Sequence, residues 1–104
     1  MPNSRRKGHD FERKVARALR DVYPDARRGL QYRDARECDV EGTPWRIECK
    51  RSERLNIMAA YRQAVEDGRG DPRPVAVISK VSNTPAVVTV SLADFKRMLL
   101  IPKE

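Results

Sequence analysis

The chain has 104 residues, enough for one hydrophobic core and too few for a second. Lysine and arginine number 22 against 15 aspartates and glutamates, so the formal charge is +7. No apolar run approaches the ~18 residues that a membrane span requires. We therefore expect a soluble, basic protein that forms a single domain over residues 1–104 and has no membrane partner.

Positive charge is concentrated near the beginning of the chain. Residues 1–36 hold 11 basic and 5 acidic residues, which leaves six of the seven net charges in this third. Its first part, residues 1–9, is basic and is followed by no apolar leader, so we expect a cytoplasmic or nucleoid-associated protein, or a host-cytoplasmic one if a phage encodes it. Such surfaces neutralise phosphates, which favours nucleic acid as the partner. A basic face kept for solubility is the open alternative.

In chain order, the apolar pattern predicts an α/β domain. Asp10 is suited to cap a first helix over residues 11–23, whose apolar stripe runs from Phe11 to Val22 until Pro24 ends it. Strands are predicted at 28–33, 38–41 and 45–50, a second helix at 56–65, and two more strands at 74–79 and 86–90. Ser91 is placed to cap a last helix that continues through 95–99. The resulting order is αβββαββα.

The second and third strands form a hairpin that carries the charged residues of interest. Alternation places Glu48 and Lys50 with Arg46 on one face of the third strand, which we expect to face a cleft or solvent. Asp39 falls on the same face of the preceding strand. A tight turn near residues 42–44 would pair Val40 with Trp45. Asp39 and Glu48 would then be diagonal neighbours about 7 Å apart.

Two carboxylates at this separation repel each other, so either one takes up a proton or a divalent cation joins them. Mg²⁺ suits the second solution, because it binds one or two carboxylates, several waters and a phosphate oxygen. Lys50 shares the face of Glu48 and is placed to offset charge on a phosphoryl group. This arrangement predicts metal-assisted hydrolysis of a phosphodiester.

The two cysteines, Cys38 and Cys49, are too far apart for a CxxC pair. The chain has one histidine to join them, so we do not expect a zinc site. Alternation places both thiols on the apolar face of the hairpin. We therefore predict two reduced thiols in the core.

The sequence resembles the PD-(D/E)XK nuclease superfamily. Asp39 is followed after eight residues by Glu48-Cys49-Lys50, which is that superfamily's motif, and the stretch from Arg6 to Arg13 is similar to the opening of archaeal-type Holliday-junction resolvases. The resemblance implies a restriction-endonuclease-like αβββαβ core with a mixed central sheet flanked by helices. It also implies Glu12, Asp39 and Glu48 as metal ligands together with the backbone carbonyl of Cys49, and Lys50 as a further catalytic residue.

The same resemblance implies a homodimeric endodeoxyribonuclease that uses Mg²⁺, with Mn²⁺ as a substitute, needs no nucleotide cofactor and cuts branched DNA. Residues expected to contact DNA phosphates are Arg5, Arg6, Lys7, Arg13, Arg17 and Arg51. Gln63 and Tyr61 on the second helix are candidates for supporting polar groups behind the metal site, with ordinary helix-surface roles as the alternative.

Other functions stay open at this point. A repair or phage-replication nuclease acting on flaps, forks or duplex ends would use the same residues. A basic DNA-binding module would keep the acids as ion pairs with Arg46 or Arg51 and hydrolyse nothing. A subunit of a larger assembly would be inactive alone.

Overall fold

The computed structural model describes residues 4–30 and 37–100. Its elements are α1 (Ser4–Leu19), β1 (Arg27–Arg28), β2 (Val40–Glu41), β3 (Arg46–Arg51), α2 (Ile57–Asp67), β4 (Val75–Lys80), β5 (Val87–Thr89) and α3 (Leu92–Leu99). The five strands form one mixed sheet in the order β1-β2-β3-β4-β5, with β3 and β4 parallel and the other neighbours antiparallel. The predicted α/β class and element order are confirmed. No helix within these ranges is long and apolar enough to cross a bilayer.

Apolar side chains pack on both faces of this sheet. Helix α1 covers one face, in a cluster of Phe11, Val15, Ala16, Val40, Ile47, Ala76 and Ile78. Helix α2 covers the other face and packs Ala60 and Ala64 against Val77. Strand β4 contributes to both clusters because successive residues of a strand point to opposite faces. Strand β4 therefore lies between the two helices.

Helix α1 begins and ends earlier than the sequence predicted. It includes residues 4–9, which are not a separate basic segment, and Asp10 lies inside it, where its carboxylate accepts a hydrogen bond from Arg13 at 3.0 Å. The expected cap was wrong because the Arg and Lys residues of 4–9 are good helix formers and extend the helix. The helix ends at Leu19, so Val22, expected in the apolar stripe, is 66% exposed.

The later helices begin close to the expected positions. Asn56, expected as the first residue of α2, is its cap and accepts a hydrogen bond from the backbone N–H of Ala59 at 3.0 Å. The predicted cap of α3 is confirmed, since Ser91 accepts a bond from the N–H of Asp94 at 3.0 Å. In both cases the side-chain oxygen satisfies a donor that the first helical turn leaves unpaired.

The β2–β3 hairpin forms with a register that differs by two residues from the predicted one. Val40 pairs with Ile47 instead of Trp45, so four residues connect the strands. Two local features favour this longer turn: the hydroxyl of Thr43 accepts a hydrogen bond from the N–H of Trp45 at 3.0 Å, and Gly42 has φ +88°. Because the side-chain period of a strand is two, a shift of two leaves every side chain on its predicted face.

The first predicted strand, 28–33, is described only in part. Strand β1 spans two residues, and residues 31–33 lie outside the described ranges. After β1, the backbone N–H of Gly29 donates to the carbonyl of Asp39 at 2.8 Å. A Cβ at Gly29 would lie 1.8 Å from the carbonyl oxygen of Cys38, so glycine is needed for this close approach.

Candidate active site

Asp39 is held in place by three hydrogen bonds, two to β3 and one to the residue after β1. Its N–H donates to the carbonyl of Ile47 at 3.0 Å, and its own carbonyl accepts the bond from Gly29. Its carboxylate Oδ2 accepts a hydrogen bond from the backbone N–H of Cys49 at 2.8 Å. The Asp39 side chain therefore turns toward β3, where Glu48 follows Ile47.

Glu48 lies beside Asp39 and is largely removed from water. Glu48 is 7% exposed, and its carboxylate oxygen Oε1 accepts a hydrogen bond from the backbone N–H of Asp39 at 3.3 Å. Burial, together with the negative charge of Asp39, raises the pKa of Glu48 to about 7. Below about pH 7 this carboxyl therefore holds a proton that a cation could replace.

Arg46 lies next to Glu48 but is engaged elsewhere. Its guanidinium is 3.2 Å from the carboxylate of Asp71 and 4.0 Å from Glu48 Oε2, which is too long for a hydrogen bond. Arg46 is 4% exposed, so the expectation that this face of β3 lies toward a cleft or solvent was wrong at Arg46. Helix α2 and the loop after it cover this part of the face, and a Cβ on Gly68 would lie 2.7 Å from the Arg46 side chain.

A partly buried ion-pair network fixes the loop after α2. Arg73 bonds to Asp71 at 2.8 Å and to Glu41 at 2.9 Å, and the other oxygen of Glu41 accepts from the N–H of Cys38 at 2.8 Å. Burial alone would raise the pKa of Glu41, but the Arg73 and Cys38 bonds outweigh it and lower that pKa. Arg73 also holds the pKa of Asp71 far below its usual range. Because Asp71 is ionised, it is the stronger partner for Arg46.

Asp39 and Glu48 line a polar cavity of about 200 Å³ at the open end of this arrangement. Lys50, two residues after Glu48 on the same face of β3, also lines it, as the alternation predicted. Helix α2 contributes Gln63 and Asp67, and the Gln63 amide donates to the Asp67 carboxylate at 2.8 Å. The structure therefore brings four of the residues singled out in the sequence to one cavity and adds Asp67.

Asp67 was missed by the sequence analysis. Its charge contributes to the raised pKa of Glu48, after burial and the charge of Asp39. The available signal was its position four residues after Gln63, because residues four apart share one face of a helix. That signal could not show that this face of α2 lies beside Glu48 in the fold.

Glu12 approaches from the other side of the sheet and does not line this cavity. Its carboxylate accepts a hydrogen bond from Arg28 Nε at 3.0 Å. Burial, and then the charge of Asp39, raise the pKa of Glu12, and the bond to Arg28 does not fully offset them. Glu12 is thus close enough to Asp39 to interact with its charge while it is paired with Arg28.

The carboxylates of this cavity suit a hard cation that binds to only a few protein ligands. Among the described residues, no three side chains of the His, Cys, Asp and Glu types converge closely enough to hold an ion by themselves. Asp39 and Glu48 supply two adjacent carboxylates in a polar cavity, and burial and the charge of Asp39 raise the pKa of Glu48 even though the charge of Arg46 lowers it. Mg²⁺ needs no more than one or two carboxylates, because it retains several waters.

The residues expected to contact DNA are distributed over different surfaces. Arg13 and Arg17 are exposed on α1, with Arg13 paired to Asp10. Arg51 is turned inward, toward Glu53 at 2.6 Å, the Ser82 hydroxyl at 3.1 Å and a backbone carbonyl. The remaining three, Arg5, Arg6 and Lys7, lie in the first turns of α1, and their side chains fall outside the described part of the chain.

Tyr61 and the two cysteines do not line the cavity around Asp39. Tyr61 packs against the apolar cluster under α2 and lines a separate space beside β4. Cys38 is completely buried and Cys49 packs against the cluster under α1, both as free thiols, as predicted. Burial raises the pKa of Cys38 to about 12 and also raises that of Cys49. Both thiols are thus uncharged core groups.

Comparisons with known proteins do not assign a family. No family profile matches the chain, and neither curated proteins nor solved structures show a significant match.

Proposed function

We propose that this protein is a metal-dependent endodeoxyribonuclease built on a restriction-endonuclease-like core. One observation carries the proposal: Asp39, Glu48 and Lys50 line a single polar cavity, and the carboxyl of Glu48 is buried against Asp39 with its pKa raised to about 7. A phosphodiester-hydrolysing site needs adjacent carboxylates for a hard cation and a nearby cation for the phosphate, and these three side chains supply both.

Each residue has a separate task in this proposal. Asp39 and Glu48 hold Mg²⁺, or Mn²⁺ in its place, with the carbonyl of Cys49 as a further oxygen and Glu12 as an outer acid. The ion supplies polarisation of the scissile phosphate and a water of lowered pKa. Lys50, exposed at the cavity, binds a phosphate oxygen and offsets the negative charge that develops on it. Gln63 orients Asp67 at the opposite wall through their hydrogen bond.

A non-catalytic DNA-binding module is the second candidate. The 4.0 Å approach of Arg46 to Glu48 favours it, because the acids would then serve as ion-pair partners. Against it, Arg46 lies closer to Asp71, at 3.2 Å, and the pKa of Glu48 is raised rather than lowered. A carboxyl kept for an ion pair would have a lowered pKa.

The substrate we propose is branched DNA, by resemblance to the junction resolvases; flaps, forks or duplex ends are the alternative for the same site. The exposed basic side chains of α1, among them Arg13, Lys14 and Arg17, support binding to the phosphate backbone, which positions a duplex without reading its sequence. Such an enzyme acts where DNA is present, in the cytoplasm or nucleoid, or in the host cytoplasm if a phage encodes it.

The direct test is cleavage of an end-labelled four-way junction beside a linear duplex made of the same arms. Wild type, Glu48→Ala and Glu66→Ala are compared in Mg²⁺, in Mn²⁺ and with a chelator. Glu66 is the matched control, because it is an exposed acid of α2 that pairs with Arg69 in solvent. The proposal predicts metal-dependent cleavage by wild type and Glu66→Ala and none by Glu48→Ala.

Each outcome separates the candidates. Cleavage of the junction alone supports branched DNA as the substrate, whereas cutting of both DNAs keeps the nuclease and removes the junction preference. Binding that weakens steeply with salt, without hydrolysis in any metal and unchanged in Glu48→Ala, would establish the DNA-binding module instead.

A further inference from the structure

A second cavity, of about 380 Å³, lies beside helix α2 on a different side from the candidate active site. Gln63 and Asp67 line the active-site cavity, whereas Tyr61 and Val65 line the second one. At about 100° per residue, these two pairs point to different sides of the helix. The volume lies within the range of roughly 300–1,000 Å³ that is typical of small-molecule sites. The proposed nuclease site leaves this second cavity unused.

Asp94 of α3 gives this cavity a carboxylate that can accept new hydrogen bonds. Its side chain is 18% exposed, and its nearest cation, Arg97, is 3.6 Å away, which is too far for a hydrogen bond. The bond to Ser91 uses the backbone N–H of Asp94, and no donor among the described residues bonds to the carboxylate. Polar groups that are largely buried generally have hydrogen-bond partners. Asp94 is therefore suited to accept N–H groups of a ligand.

The other walls of the cavity add an aromatic ring and a guanidinium. Tyr61 is half-buried and packs against the apolar cluster under α2, as does Val75, and both line the cavity. Arg69 also lines it, with a side chain that is 79% exposed and paired with Glu66 at 2.6 Å. A pair so exposed to solvent contributes little, so the guanidinium can turn to a ligand at low cost.

A carboxylate, a guanidinium and an aromatic ring together match one nucleobase. Guanine has two adjacent donors, N1–H and the N2 amino group, on its pairing edge, and two acceptors, O6 and N7, on another edge. The other three bases place an acceptor next to a donor on the pairing edge, where a carboxylate would leave that acceptor unpaired. We propose that this cavity binds a guanine base, with Asp94 at the two donors, Arg69 at the two acceptors and Tyr61 against its face.

The charges of the cavity disfavour a simple ion as its occupant. Arg73 and Asp71, which also line it, are bonded to each other at 2.8 Å, and Arg69 and Asp94 add one charge of each sign. A phosphate ion would be repelled by the carboxylates, and a divalent cation by the guanidiniums. A neutral base with separate donor and acceptor edges avoids both. The guanine can belong to a free nucleotide or to an unpaired position in DNA, and its binding does not depend on the proposed nuclease activity.

The test is binding of the full chain to a labelled octamer of thymidines with one central deoxyguanosine, measured by fluorescence anisotropy in the presence of a chelator. The same octamer is prepared with a central deoxyinosine, whose base lacks only the N2 amino group, and with a central thymidine. Deoxyguanosine and deoxyadenosine monophosphates are added as competitors. Wild type is compared with Asp94→Asn and with the control Asp21→Asn, which alters an exposed aspartate in the turn after α1. Circular dichroism establishes that each variant is folded.

The proposal predicts that wild type and Asp21→Asn bind the deoxyguanosine octamer at least ~10-fold more tightly than the thymidine octamer. Deoxyinosine should weaken binding to wild type but not to Asp94→Asn, because the asparagine amide cannot accept both donors. A purely structural role of Asp94 would not produce this difference.

The competitors distinguish the two sources of the base. Displacement by deoxyguanosine monophosphate at lower concentrations than by deoxyadenosine monophosphate would show that free nucleotides bind as well, and its absence would assign the cavity to unpaired DNA. A wild type without preference for the deoxyguanosine octamer would overturn the proposal. A folded Asp94→Asn that still distinguishes deoxyguanosine from deoxyinosine as wild type does would also overturn it.

Discussion

Replacing Glu48 by Gln should stabilise the protein at neutral and alkaline pH while abolishing the proposed DNA cleavage. In the folded state burial and the charge of Asp39 raise the pKa of Glu48 from 4.5 to about 7. The folded state therefore holds a proton that the unfolded state releases, so the contribution of Glu48 to stability is fully present below pH 4.5 and is lost as the pH rises through about 7. At 1.36 kcal/mol per pKa unit, this shift corresponds to about 3 kcal/mol.

Glutamine has the shape of the protonated carboxyl and does not ionise. The free energy of unfolding of Glu48→Gln should therefore match that of wild type near pH 4.5 and exceed it by up to about 3 kcal/mol at pH 8, in the absence of divalent ions. Urea unfolding followed by circular dichroism at both pH values measures this difference. Glu66→Gln, which removes an exposed acid of α2, should change stability by less than ~0.5 kcal/mol at either pH.

The reasoning would be refuted if the difference in unfolding free energy between Glu48→Gln and wild type were the same at pH 8 as at pH 4.5. It would mean that Arg46, 4.0 Å from Glu48, neutralises the carboxylate in the folded state. A second expectation follows from the same charge balance: Mg²⁺ at pH 8 should stabilise wild type and leave Glu48→Gln unchanged, because binding to the folded state shifts the unfolding equilibrium.

Three further changes test other parts of the structure. If the proposed mechanism is right, Lys50→Ala should lower the rate of DNA cleavage ~10²-fold with little change in stability, because Lys50 is exposed at the cavity, where the proposal has it bind a phosphate oxygen. Single-turnover cleavage checks this, and an unchanged rate would remove the role proposed for Lys50. Arg73→Ala should destabilise the protein by about 2 kcal/mol in urea unfolding at pH 7, since Glu41 and Asp71 lose their closest partner. A variant as stable as wild type would show that water replaces the guanidinium. Gly29→Ala should lower the free energy of unfolding by about 2 kcal/mol and reduce cleavage, because a Cβ there would lie 1.8 Å from a carbonyl oxygen. Full activity of this variant would contradict the expectation.

Local patterns predicted the elements well because their causes are local. Alternation in β3 placed Ile47 and Cys49 on the face that packs under α1, and Ser91 was identified as a cap from its hydroxyl and its position. The grouping of Asp39, Glu48 and Lys50 on one face also followed from alternation. It survived a register error of two residues, since such a shift does not change the face of any side chain.

The errors concern contacts between distant parts of the chain. Arg46 was expected on an open face, but α2 and the Asp71 carboxylate cover it. Asp67 was overlooked because the position of α2 on the sheet is set by packing of Ala60 and Ala64 on Val77 of β4. The start of α1 was misplaced for another reason. An aspartate such as Asp10 is typical of a helix cap, but when good helix formers precede it, the helix can begin earlier and include the aspartate as an interior residue.

The central claim is that Asp39 and Glu48 share a divalent cation, and Mn²⁺ binding tests it most directly. Free Mn²⁺ is measured by electron paramagnetic resonance during titration of the full chain at pH 8, for wild type, Asp39→Asn, Glu48→Gln and the control Glu66→Gln. The account predicts saturable binding at this site in wild type and Glu66→Gln that is lost in both of the other variants. Equal binding by Glu48→Gln, or no binding by wild type, would contradict it.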